Sequence, residues 1–236
     1  MKKKRISIFI IGLLSLSNLL GGATASAQDT VNTPLTKEEW QATPLYQGAY
    51  VGVDLYGIGS KIFGNDFTTA EVSAEANLKN RYFPIVEIGY GQTDVTHEET
   101  DIFYKTSAPY FRIGMDYNVF YQKPYLPGYF TVGLRYGHSS FKYDIQAPDL
   151  TDPNWGHTEV PFAYEGVKSN AGWLELVLGL KTQVYKNFYM GFSVRYRSRL
   201  SIAKNEHSEP YYVPGFGKNG SSNIGITYNI YYKLPF

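Results

Sequence analysis

Eight segments of the chain alternate apolar and polar residues with a period of two. In the last of them, every second residue from Ile224 to Phe236 is apolar or aromatic, and the residues between are mostly small or polar. Successive side chains of a β-strand point to opposite faces, so each segment predicts a strand with one apolar and one polar face. The predicted strands cover residues 49–56, 71–78, 86–91, 111–118, 130–137, 174–181, 188–197 and 224–236.

Two features separate these strands from those of a soluble β-sandwich. Their apolar positions carry no charged residue, as a lipid-facing surface requires, because an Arg or Lys at mid-bilayer costs about 2–4 kcal/mol. The connections also alternate in length, with long ones at 59–65, 92–107, 139–170 and 198–221 and short ones at 79–83, 121–128 and 186–187. The sequence predicts an all-β protein, an eight-stranded antiparallel up-and-down transmembrane β-barrel with short periplasmic turns and long extracellular loops.

Aromatic residues are abundant and collect near the predicted short turns. They make up 17% of the chain, while the mean hydropathy is only −0.28, a combination typical of a barrel with aromatic girdles and a polar interior. The aromatic residues at the short-turn ends are Tyr46, Tyr82, Phe83, Tyr121, Tyr125, Tyr129, Tyr185, Phe188, Tyr189 and Phe236. They predict a girdle at the periplasmic interface.

The N-terminus has the pattern of a secretory signal peptide. Lys2, Lys3, Lys4 and Arg5 precede an apolar stretch at residues 6–20, and an A-x-A cleavage pattern ends at Ala27. The predicted domains are therefore a signal peptide at 1–27, a periplasmic N-terminal extension at 28–45 and the barrel at 46–236. No later segment offers the ~20 apolar residues of a membrane-spanning helix. We expect export by a cleaved signal to the outer membrane of a Gram-negative cell.

Charge and cysteine content exclude several classes of protein. The 22 basic residues less the four of the signal leave 18 against 21 acidic residues, a net charge of −3, which argues against a nucleic-acid partner. The chain has no cysteine, so a lipidated cysteine, a disulfide framework, a thiolate nucleophile and a cysteine-based zinc site are all excluded.

The last strand resembles the C-terminal insertion signal of bacterial outer-membrane barrels, which the assembly machinery reads as the closing strand. The residues that carry the resemblance are Tyr228, Ile230, Tyr232, Leu234 and Phe236. With the signal peptide and eight strands, residues 46–236 resemble small OmpA/OmpX-type barrels, and among them an uncharacterised outer-membrane barrel family of the Bacteroidota. The resemblance implies a location, a topology and contact with outer-membrane lipid and lipopolysaccharide. It implies no chemistry.

The polar face of the predicted strands carries six acidic and five basic residues. They are Asp54, Glu71, Glu75, Glu87, Asp116, Glu175, Arg112, Arg135, Lys181, Arg195 and Arg197. The bore of an eight-stranded barrel is just wide enough for side chains to fill it. These charges therefore predict an interior ion-pair network that closes the bore, with a narrow charge-lined pore as the alternative.

Candidate catalytic residues are few. The histidines, His97, His138, His157 and His207, lie in the long links or at strand ends without metal-ligand spacing, so we expect no metal and no cofactor. His138 and Ser140 share one face of an extended chain, and this spacing resembles the H-x-S of outer-membrane lipid A 3-O-deacylases. The sequence departs from that pattern, since no Asn follows Ser140 and no orienting carboxylate is identifiable.

These observations favour a non-catalytic role. The leading interpretation is an envelope scaffold or an accessory subunit of an outer-membrane complex, with a protein partner bound through loop 139–170 or the N-terminal extension, where Trp40 is a natural anchor. The alternatives are a lipid A-modifying, deacylase-like barrel enzyme acting through His138 and Ser140, and a narrow pore.

Overall fold

The computed structural model describes residues 33–59, 66–97, 101–151, 159–203, 205 and 208–235. The chain divides into two units, Met1–Thr33 and Pro34–Phe236, and the architecture below is that of the second. The predicted signal peptide and Phe236 lie outside the described residues. Neither helix within the described ranges has the length and apolarity needed to cross a membrane.

Eight long strands form a closed antiparallel barrel, which confirms the predicted fold. The long strands are β1 (Tyr46–Asp54), β2 (Phe67–Leu78), β3 (Tyr82–Thr96), β4 (Phe103–Asn118), β5 (Gly128–Thr151), β6 (Glu159–Tyr185), β7 (Phe188–Ile202) and β10 (Ser222–Lys233). The connection from β7 to β10 contains a two-stranded hairpin of β8 (Tyr212–Val213) and β9 (Gly217–Lys218). Two short helices, α1 (Lys37–Ala42) and α2 (Leu55–Gly59), flank β1. Pairing of β1 with β10 closes the ring, with Val51 opposite Tyr232.

Side chains alternate between the outer surface and the bore, as the period of two requires. On β6, Leu176 and Leu178 are exposed and Val177 between them is buried. The register places Val132 of β5 and Val194 of β7 on either side of Leu178. The exposed apolar rows of neighbouring strands therefore merge into a band around the outside of the barrel.

Several strands are longer than predicted at the long-loop end. Residues 92–96 of β3 pair with residues 103–107 of β4, and β5 and β6 remain paired as far as Thr151 and Glu159. Much of the predicted loops 92–107 and 139–170 is therefore strand. The hydropathy pattern missed these extensions because the apolar frame changes sides: beyond the outer band the buried aromatic side chains, such as Tyr104, Phe141 and Tyr143, face the bore and the polar ones face outward.

The short-turn end is covered by the segment at residues 34–45. A capping box between Thr36 and Glu39 starts α1, and the hydrogen bonds to Thr36 lower the pKa of Glu39. The indole of Trp40 donates from Nε1 to the carbonyl of Lys79 at 3.0 Å, and the amide of Leu35 donates to the carbonyl of Gln122 at 2.7 Å. Trp40 thus anchors this segment to the turns of its own barrel.

Only some of the aromatic residues predicted for the girdle lie on the outer face. Tyr46, Tyr82, Tyr125, Tyr185 and Phe188 are exposed on the outside near the short turns, whereas Phe83 and Tyr189 are buried. Proximity to a turn does not decide the face that a side chain occupies. Adjacent residues such as Tyr82 and Phe83 must point to opposite sides of the wall.

Candidate functional site

The charged interior is built around Glu87 on β3. Its carboxylate accepts from three guanidinium groups, those of Arg112 at 3.1 Å, Arg195 at 2.8 Å, and Arg135. Each partner comes from a different strand, so Glu87 ties β3 to β4, β5 and β7. All four side chains are almost fully buried, where an ion pair requires partners for every charge.

Two further carboxylates share the same arginines. Glu175 Oε1 lies 2.8 Å from Nε of Arg112 and 3.3 Å from Nε of Arg197, with angles too bent for good hydrogen bonds. It accepts a better hydrogen bond from Trp173 Nε1 at 2.7 Å. Glu71 is paired with Arg112 and, at 3.5 Å, with Arg195. The carboxylates and arginines therefore interlock across the bore.

The remaining charges lie nearer the short turns. Arg135 donates to Asp116 at 2.9 Å, and Lys181 is paired with Glu75. Ten of the eleven predicted interior residues thus form ion pairs, and we call these ten the ion-pair network. They are Glu71, Glu75, Glu87, Asp116, Glu175, Arg112, Arg135, Lys181, Arg195 and Arg197.

Asp54 has a different role from the other ten. It ends β1, and its carboxylate accepts from the backbone amides of Tyr56 at 3.0 Å and Gly57 at 3.1 Å, which starts α2. It also accepts from the amide of Tyr228 on β10 at 3.3 Å. The predicted first strand to residue 56 is thus two residues too long, because a carboxylate that caps backbone amides favours a helical turn.

Below the ion-pair network, five aromatic side chains close the bore at the short-turn end. We call this cluster the aromatic floor, and it consists of Tyr50, Phe83, Tyr129, Tyr189 and Tyr231. The hydroxyls of Tyr50 and Tyr129 are 3.0 Å apart, and the rings of Tyr50 and Tyr189 meet edge to face at 5.1 Å. The ammonium of Lys181 lies 4.3 Å from the ring centre of Tyr231, which joins the floor to the network.

Residues 211–219, which we call the inserted loop, close the opposite end. Three of its backbone carbonyls accept from the barrel wall: Tyr212 from Tyr104 at 2.9 Å, Gly215 from Arg112 at 2.8 Å, and Phe216 from Arg197 at 3.0 Å. The network therefore holds the loop as well as the wall.

The apolar side chains of the inserted loop complete the closure. Tyr212, Val213 and Phe216 are almost fully buried, and the ring of Phe216 meets that of Trp173 at 5.9 Å. Burial raises the pKa of Tyr212 to about 12. The predicted link 198–221 gave one signal of this insertion, since residues 211–217 are apolar and glycine-rich, unlike a solvated loop. The alternation of apolar and polar residues did not predict that any residue of this link closes the mouth.

Gly215 sets the path of the inserted loop. Its φ is +82°, and a Cβ there would lie 2.5 Å from the ring of Tyr110. We expect Gly215→Ala to lower the free energy of unfolding by about 1–3 kcal/mol, because strain and overlap combine, and to increase protease cleavage near the loop. Gly220→Ala is the matched control, since a Cβ at Gly220 meets only one atom, at 3.6 Å. Equal effects of the two substitutions would contradict this account.

Little free space separates these layers. The cavity beside Glu75, Arg135, Lys181 and Tyr231 has a volume of about 20 Å³, room for about one water molecule. A wider cavity of about 260 Å³ lies beside the inserted loop, lined in part by Arg197. The described bore is thus filled by side chains at the level of the floor and the lower network.

His138 and Ser140 both lie on the outer side of β5, with His138 half-buried and Ser140 exposed. The imidazole packs against the ring of Phe111 on β4, with centroids 5.7 Å apart. The described residues add no support for ester hydrolysis at this pair. Across the described ranges, no three His, Asp or Glu side chains are grouped as a metal site, and His157 and His207 fall outside those ranges.

Comparison with known proteins gives distant structural likenesses and a family. No curated protein matches the sequence. A major outer membrane protein from Thermus thermophilus is similar over 80% of this chain and 100% of its own, with 12% identity and a TM-score of 0.46. CarO2 of Acinetobacter baumannii covers 81% of this chain and 100% of its own, with 10% identity and a TM-score of 0.39. Neisserial surface protein A covers 80% of this chain and 99% of its own, with 13% identity and a TM-score of 0.34. The family described as Domain of unknown function (DUF6048) matches residues 1–236, and the chain therefore belongs to that family.

Proposed function

We propose that this protein is a closed barrel of the Gram-negative outer membrane that acts as an envelope scaffold or as an accessory subunit of a larger complex. The observation that carries the proposal is the filled bore. From the short-turn end to the long-loop end, the bore is occupied by the aromatic floor, then the ion-pair network, then the inserted loop. A bore filled with paired side chains suits a structural role.

The outer surface supports a membrane location. Exposed leucines on β6 and exposed aromatic residues near the short turns match the apolar band and girdle of a transmembrane barrel. The proposed orientation has the short turns in the periplasm. Export by the predicted signal peptide and insertion by the outer-membrane assembly machinery, which would read the strand ending at Phe236, are parts of the same proposal.

The paired ribbon at the end of β5 and β6 supports a protein partner. The pairing of β4 with β5 ends at Gln146, and that of β6 with β7 ends at Ala171. Beyond these points β5 and β6 pair with each other as far as Thr151 and Glu159. A ribbon that leaves the barrel wall offers backbone and side-chain surface that the pairing of the barrel itself does not use.

The partner is tested by purification of the native protein in gentle detergent, with identification of co-purifying chains. We expect a stoichiometric partner that is lost when residues 147–162 are replaced by Asn-Gly, a turn that rejoins Gln146 to its neighbour Ala163. The matched control replaces residues 97–102 by Asn-Gly between the paired Thr96 and Phe103. A clean monomer, or equal loss in both variants, would contradict the accessory-subunit role.

A filled bore also predicts that the protein does not conduct ions. We expect the purified protein to give no discrete single-channel currents in planar lipid bilayers, because the floor and the lower network leave only about 20 Å³ between them. For comparison, the same bilayer recordings are made on a variant in which Tyr50, Tyr189 and Tyr231 are replaced by Ala, because these substitutions would open the aromatic floor. Unitary currents from the unmodified protein would favour the narrow pore instead.

A further inference from the structure

The two ends of the barrel differ in charge. Among the described residues, the short-turn end carries six basic side chains, Lys37, Lys79, Arg81, Lys123, Lys186 and Lys233, and two acidic ones outside the bore, Glu38 and Glu39. The long-loop end mixes the two signs and forms exposed ion pairs, such as Lys105 with Asp94 and Lys218 with Asp66. An excess of one sign at one end attracts ligands of the opposite sign.

Three of these lysines line a single pocket. Lys79 follows β2, Lys123 lies in the turn between β4 and β5, and Lys233 ends β10. The pocket has a volume of about 200 Å³. That is below the range of drug-sized ligand sites, about 300–1,000 Å³, and suits a small headgroup. Three basic residues from separate parts of the chain therefore line one space of limited size.

These lysines have no carboxylate partner within the described residues, although every base of the ion-pair network has one. The ammonium of Lys79 donates to the carbonyl of Gln41 at 3.0 Å. The ammonium of Lys123 lies 5.1 Å from the ring centre of Phe120. The ammonium of Lys233 lies 6.0 Å from the ring centre of Tyr50. All three side chains are half-buried, and an anion bound among them would reduce the repulsion between their charges.

Neutral groups complete the pocket wall. Asn80 and Gln47 line it with amides that donate hydrogen bonds. Trp40 and Tyr121, whose rings meet edge to face at 5.3 Å, form an aromatic side. The hydrogen bond from Trp40 to Lys79 fixes the segment at residues 34–45 as one wall. The wall is therefore held in place before a ligand arrives.

We propose that this pocket binds a phosphate group, carried by a small soluble phosphoester or by the headgroup of an anionic phospholipid. Lysines act as point charges for phosphate, and three of them with two amides match its charge and its several acceptor oxygens. The soluble source is independent of the proposed membrane location. The lipid source rests on that location, because it needs the short turns to lie at a headgroup surface.

The test measures binding of sn-glycerol 3-phosphate by calorimetry, with the full barrel in nanodiscs of phosphatidylcholine at constant ionic strength. We expect saturable binding that weakens at least about tenfold in the variant Lys79→Gln, Lys123→Gln, Lys233→Gln. The variant Lys37→Gln, Lys186→Gln is the matched control, since these lysines belong to the same end but not to the pocket. Lys123→Gln alone, in a turn, keeps the test valid if the triple variant does not fold, with an expected loss of about threefold.

A second arm separates the two sources. In nanodiscs that contain phosphatidylglycerol, a lipid ligand competes with glycerol 3-phosphate and weakens its binding, whereas a site for soluble phosphoesters binds it equally well in both discs. Either result supports a phosphate site. The proposal is overturned if glycerol 3-phosphate does not bind in phosphatidylcholine and phosphatidylglycerol is retained equally by the unmodified and Lys123→Gln proteins. Equal binding by the pocket variants and the control also overturns it.

Discussion

Replacement of Glu87 by glutamine will lower the free energy of unfolding by about 3–5 kcal/mol, the cost of breaking a buried charge arrangement by removing one partner. Glutamine keeps the volume and removes the charge, so Arg112, Arg135 and Arg195 lose the carboxylate that they share. The measurement is equilibrium unfolding in urea with the barrel folded into lipid vesicles.

An exposed ion pair provides the control for Glu87. Lys105 Nζ lies 3.2 Å from Asp94, and both side chains are more than half exposed. We expect Lys105→Gln to change the free energy of unfolding by less than about 1 kcal/mol. If Glu87→Gln is no more harmful than Lys105→Gln, the interior charges contribute little and the filled bore is held by the aromatic floor instead.

A charge placed in the middle of the outer band tests the membrane location directly. We expect Leu178→Arg to destabilise the barrel in a bilayer by about 2–4 kcal/mol, because the guanidinium faces hydrocarbon. Leu178 is exposed and lies between Val132 and Val194, which are also part of the outer band. In a soluble protein the same substitution at an exposed leucine changes stability by only about 0.5 kcal/mol. Unfolding from vesicles of saturated phosphatidylcholine measures the difference.

The control for this second prediction is the same substitution at an exposed leucine near the end of a strand. Leu200 is also exposed, but it lies near the long-loop end of β7. There an arginine reaches the interface, and we expect Leu200→Arg to cost no more than about 1 kcal/mol. Equal and small effects at Leu178 and Leu200 would show that the outer band does not face lipid.

The outer face of the barrel was predictable because its positions follow one simple rule, the exclusion of charged residues. A face that excludes charge over eight successive strands produces a regular apolar pattern in the sequence, as the row Leu174, Leu176, Leu178 and Leu180 illustrates. The same alternation assigned Glu87, Arg112 and Glu175 to the bore, where they lie. It did not predict which carboxylate meets which arginine, because these residues are far apart in sequence and their contacts depend on strand register and tilt.

Asp54 shows that the alternation pattern can predict the face on which a residue lies without predicting its role. Its place in the alternation put it in the bore with the other charges, but the chain turns at this point and Asp54 binds the amides of Tyr56 and Gly57. The extensions of β5 and β6 beyond the outer band illustrate another limit. In this part of β5 the aromatic side chains of Phe141 and Tyr143 are buried, whereas Leu134 and Tyr136 are exposed on the outside. The apolar frame therefore changes sides along the strand, and the outward frame did not extend to residues 139–151.

The order of residues alone determined the closed antiparallel barrel, because the period of two, the charge-free face and the alternating connection lengths are properties of the linear chain. Only the tertiary structure decided what fills the barrel and what gathers at its ends. The carbonyl of Gly215 meets Arg112 across 103 residues, and the three lysines of the short-turn pocket come from three separate elements. Such contacts form when the ring closes, since closure brings distant strands to one axis.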